Sequence, residues 1–126
     1  MAKTPVLNWY AKDEKLTEGL KELFKTSPPV YFVTIRLGGK WANKLKPGSR
    51  VAISISNNPK RPKVIGDASV VAVTKTFVLN IENRDLTRNI GAKEWLQMFK
   101  DMKSVYKPGT ISTSSVVSVI KMCPLP

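Results

Sequence analysis

The chain has 126 residues, 42% of them hydrophobic, and carries 21 Lys and Arg against 9 Asp and Glu for a formal net charge of +12. That length holds one domain with a real core rather than two, and no apolar run approaches the roughly 20 residues needed to cross a bilayer. With no histidine and one cysteine, Cys123, the chain excludes Ser-His-Asp and Cys-His catalysis, Cys/His zinc sites and an intrachain disulfide, so neither a structural metal nor a cofactor is expected.

The opening MAKTPVLNWYAKDEK has no apolar signal core, which makes the cytoplasm the expected compartment. AKDEKLTEGLKELFK, at 11–25, places Leu16, Leu20, Leu23 and Phe24 on one helical face, with lysines and glutamates on the other. Pro28 and Pro29 end that helix. The first 27 residues or so therefore read as a helical extension, followed by a barrel over about 28–122.

From Val30 to Leu37 the pattern alternates, with Tyr31, Val33, Ile35 and Leu37 on one side and Phe32, Thr34 and Arg36 on the other, which is a strand. GGKWANKLKPGSR is a basic connector with two turn signals, and RVAISIS alternates again as a second strand. NNPKRPK, at 57–63, reads as a hairpin loop whose tip carries Lys60, Arg61 and Lys63. A long β-rich segment follows from Val64 to about Leu79, with a restart expected at Gly66-Asp67.

NRDLTRNIGAKEWLQMFKDMKSVY returns to helical spacing, with Trp95, Met98, Phe99, Met102 and Tyr106 on a core stripe, and SSVVSVIKM gives the last strand. There is no internal repeat and no regular alternation of strands with helices. The expected architecture is α+β, a small mixed barrel flanked by two or three helices.

Five short pieces in this order, VTIR, KPGSRVAISIS, IGDASVVAV, SVYKPG and VVSVIKM, resemble the ASCH domain, a branch of the PUA-like β-barrel superfamily, over about residues 27–122. That family's signature, Gly-x-Lys-x-x-Thr/Glu-x-Arg, aligns with Pro29, Tyr31, Thr34 and Arg36, so its threonine and arginine are kept while its glycine and lysine are replaced. The family turn Lys-x-Gly-Asp appears as Lys46-Pro47-Gly48-Ser49. The resemblance implies a cleft between barrel and helices that binds RNA or a modified nucleotide. In relatives that hydrolyse acylated cytidine, a lysine stands at Tyr31 and a glutamate near Asn89, and a phenol is a poor substitute for that amine as nucleophile or base at neutral pH.

A folded domain with this charge attracts polyanions, of which nucleic acid is the commonest, with RNA favoured over DNA. The expected site is a basic cleft floored by Thr34 and Arg36, with Tyr31 and Trp41 as rings for an unpaired base and Lys40, Lys44, Lys46, Arg50, Lys60, Arg61 and Lys63 holding the backbone. No membrane partner is expected and no catalytic residue is assigned. Two other readings stand beside it. One is an enzyme, either an acylcytidine amidohydrolase using Glu82 or Glu94 or a ribonuclease using Asp67, Glu82 or Asp85. The other is a basic module that binds an acidic protein.

Overall fold

The computed structural model describes residues 4–11 and 14–126; residues 12 and 13, within the stretch that the sequence pattern reads as helix, lie outside the described residues, as do 1–3. In chain order the elements are β1 (Val6–Trp9), α1 (Glu14–Leu23), β2 (Phe32–Leu37), α2 (Lys40–Lys44), β3 (Arg50–Ile55), β4 (Val64–Phe77), α3 (Trp95–Val105) and β5 (Val116–Pro124). The five strands form one sheet in the order β1-β3-β4-β5-β2, in which only β1 and β3 pair in parallel. The sheet curls into a half-barrel whose two edge strands, β1 and β2, come within hydrogen-bonding reach of each other.

Strand β1 corrects the expectation of a purely helical N-terminal extension. Leu7 and Trp9 are buried while Val6 is exposed and Asn8 half-buried, an alternation only four residues long and too short to stand out as a strand pattern. Parallel pairing with β3 makes it part of the barrel.

Strand β2 separates two cores. Phe32 points into the first, with Leu7, Leu20, Ile53 and Met122, while Ile35 and Leu37 pack against the second, built on Val78, Leu86, Met98 and Val117. Helix α1 seals the first core with fully buried Leu20, and Phe24, just beyond it, meets Phe32 edge-on at 6.2 Å. The Phe24 ring also covers Gly66 of β4, where a Cβ would lie 2.5 Å from it. Strand β4 runs unbroken through the expected restart at Gly66-Asp67.

The second helical pattern is broader than the helix it produces. Residues 83–86 make a 3₁₀ turn, and the chain then runs along the free edge of β2: the Val33 amide donates to Arg88 O and the Ile90 amide to Val33 O, both at 2.8 Å. Gly91, at φ 117°, turns the chain away before α3 begins at Trp95. The basic connector holds a short helix, α2, between turns at Gly38 and Gly48, both with positive φ. Among the described residues no helix is long and apolar enough to cross a membrane.

Candidate nucleic-acid interface

Arg36 lies at the seam between the edge strands. Its Nη1 donates to the Asn8 carbonyl at 2.9 Å, its Nε to Thr34 Oγ1 at 3.3 Å, and its guanidinium carbon sits 4.4 Å from the centre of the Trp9 ring. Arg36 as a residue is half-buried, but Nη2 is sealed from solvent and has no partner among the described residues. Burial lowers its pKa from the ordinary arginine value to about 10, a shift opposed by the nearby Tyr106, so the group stays charged at neutral pH. Thr34 is buried as well.

Tyr31, one residue before β2, is 39% exposed rather than part of the barrel core. Its ring is approached by two cations, Lys121 Nζ at 4.0 Å and the Arg88 guanidinium at 4.9 Å. The β2–β5 register accounts for the first, because Lys121 pairs with Val33 and so lies diagonal to Tyr31.

Tyr31 lines a cleft of about 630 Å³, a volume suited to a nucleotide-sized ligand. Helix α1 contributes Lys15, Leu20 and Leu23 among others, the start of β2 contributes Phe32, and the segment 87–93 and α3 also line it. Among the described residues three cations, Lys15, Arg88 and Lys93, and one carboxylate, Asp101, line the cleft, and Asp101 Oδ1 accepts from Gln97 Nε2 at 2.7 Å. Neither Thr34 nor Arg36 lines this cleft.

The other sequence-predicted residues are distributed elsewhere. Trp41 in α2 is half-buried against the first core, with Lys44 Nζ 5.4 Å from its ring, while Lys40 and Lys46 are exposed at and beyond the helix ends. Arg50 pairs with Asp67, Nη2 to Oδ2 being 2.6 Å, so its charge is largely neutralised. Lys60, Arg61 and Lys63 are exposed on the β3–β4 hairpin, beyond the far end of β3 and roughly 17–20 Å from Arg50 along the strand. That loop is held internally: Ser56 Oγ lies 2.9 Å from Arg61 O, and the Lys63 amide donates to Ser54 Oγ. The structure thus forms four groups, at the seam, the cleft, α2 and the hairpin.

The carboxylates weighed for catalysis do not meet. Asp67 is held by Arg50 on the sheet, whereas Glu82 and Asp85 cap the same 3₁₀ turn, with Glu82 also pairing with Arg84. Glu94 immediately precedes α3. Among the described residues no three His, Cys, Asp or Glu side chains group as a metal-ligand set. The site residues that the pattern did not single out, Asn8, Arg88 and Lys93, lie on a four-residue strand and in a segment with helical spacing. The Asn-Ile-Gly at 89–91 was the one local sign that the helix pattern was interrupted there.

No protein-family model matches the chain, and no curated protein matches it. Among solved structures, a crystal structure of an ASCH domain from Lactobacillus crispatus JV V101 superposes with a TM-score of 0.61 at 11% identity, covering 95% of this chain and 79% of that one. The chain thus has the α+β fold of that ASCH domain structure, a five-stranded curled sheet forming a half-barrel with three helices.

Proposed function

We propose that the protein binds nucleic acid, RNA in preference to DNA, and takes an unpaired or modified nucleotide into the cleft beside Tyr31. The observation that carries this reading is a concave site of nucleotide size lined, among the described residues, by an exposed ring, three cations and one carboxylate. A ring at such a position stacks on a base, and unpaired bases are what RNA-binding proteins most often recognise. The exposed cations on α2 and on the β3–β4 hairpin add attraction to the backbone that is independent of sequence. Arg36 and Thr34 lie outside this cleft, at the seam between the edge strands. The cytoplasm, where RNA is abundant, is the compartment that suits this activity.

The test is equilibrium binding of fluorescent single-stranded RNA, duplex RNA and duplex DNA at about 50 and 200 mM salt, for the wild type and for Tyr31→Ala and Arg88→Ala. Single-stranded RNA is expected to bind tightest, with each variant losing most of that preference. Equal binding of all three, unaffected by either substitution, would reduce the charge to a non-specific surface.

A further inference from the structure

We propose that Asn89 sets the specificity of the cleft by accepting a hydrogen bond from an N–H group of the bound base, an inference that rests on the nucleotide reading above. Asn89 is 5% exposed and lines the cleft. Its Nδ2 donates to Ala92 O at 2.9 Å, which fixes the amide orientation, since a flipped amide would set two oxygens against each other. Oδ1 is left buried with no hydrogen-bond partner among the described residues. Buried acceptors of this kind are rare in folded proteins, and each calls for a partner.

The surrounding backbone makes this a held position. The Asn89 amide donates to Leu86 O at 3.0 Å, and Arg88 O and Ile90 N on either side are both tied to Val33. Lys93 Nζ donates to Asn89 O, keeping a cation beside the amide. A free carboxylate would suit Lys15, Arg88 and Lys93 but has no hydrogen to give Oδ1. A nucleotide satisfies both, with phosphate toward the cations and an N–H edge of its base toward Asn89.

The experiment titrates the full chain with cytidine and adenosine 5′-monophosphates and with their counterparts lacking any base N–H, the pyrimidin-2-one and purine ribonucleotides. The donor-less analogues are expected to bind the wild type about tenfold to a hundredfold more weakly, as sites built around a polar group reject ligands lacking its partner. In Asn89→Leu that difference should collapse to about twofold, and in Asn89→Asp, which keeps an acceptor, it should persist. Because the comparison is made first on unaltered protein, a misfolded variant does not affect it. Equal binding of parent and analogue to the wild type overturns the role of Asn89 and leaves the nucleotide cleft standing. Absence of saturable binding by all four overturns both.

Discussion

Arg36 of β2 donates from Nη1 to the carbonyl oxygen of Asn8 in β1 at 2.9 Å, so a side chain of one edge strand closes onto the backbone of the other. Edge strands otherwise leave unpaired backbone groups open to another chain, and closing the seam removes one. The stack on Trp9 and the bond to Thr34 hold the guanidinium in line. Arg36 therefore carries a structural load in addition to any part it has in the site.

The first prediction separates those contributions. Arg36→Ala removes the closing bond and opens a cavity over Trp9, and is expected to destabilise the protein by about 2–4 kcal/mol in urea unfolding. Arg36→Met fills the space without desolvating a charge and should cost less, about 1 kcal/mol at pH 8. The native pKa of about 10 lies below the ordinary arginine value of the unfolded chain, so above pH 10 the unfolded chain binds more protons and the wild type gains stability as pH rises. From pH 8 to pH 11 the wild type should gain on the order of 1 kcal/mol relative to Arg36→Met. A flat difference would mean that the guanidinium is not desolvated.

Ser54 joins the hairpin to β1. Its hydroxyl donates to Asn8 Oδ1 at 2.7 Å and accepts from the Lys63 amide at 2.9 Å, and the residue is fully buried. Ser54→Ala leaves both groups short of a partner, with an expected loss of about 1–3 kcal/mol. Amide exchange at Lys63 should accelerate beyond the global change. If only global exchange changes, the hydroxyl does not organise the hairpin.

Gly66 is where α1 meets the sheet. A Cβ at this position would fall 2.5 Å from the Phe24 ring, a stiff group already packed edge-on against Phe32. Gly66→Ala should therefore cost about 1–3 kcal/mol and shift α1, which lines the cleft, so that RNA affinity falls together with stability. Wild-type stability and binding in this variant would show that the end of α1 yields without moving the cleft.

The sequence made most of the barrel legible because its signals are local. The leucine stripe of α1, the alternation in β2 and β3 and the turn formers of the hairpin each lie within a short window. The misread parts depend on partners far along the chain. β1 is a strand because β3 accepts it in parallel, and residues 88–90 leave the helical pattern because Val33 bonds both Arg88 O and Ile90 N, making a single bridge to β2. The candidate site divides in the same way. Arg36 and Tyr31 could be singled out from the sequence, but which of them faces the seam and which the cleft follows from the curl of the sheet.

The last prediction concerns the hairpin. Each phosphate neutralised on a single strand contributes about 0.7 to the slope of log K against log salt. If Lys60, Arg61 and Lys63 each meet a phosphate, replacing all three with alanine should lower that slope by about 2 while leaving the preference for single strands intact. Tyr31→Ala should do the reverse, weakening binding by the roughly 1–3 kcal/mol of a lost stack with the slope unchanged. The two variants thus read different physics, counterion release at an exposed rigid loop and base stacking at a concave site. A slope unmoved by the triple substitution would take the hairpin out of the interface, and a slope that falls with Tyr31→Ala would show that the ring acts by positioning Arg88 and Lys121 rather than by stacking.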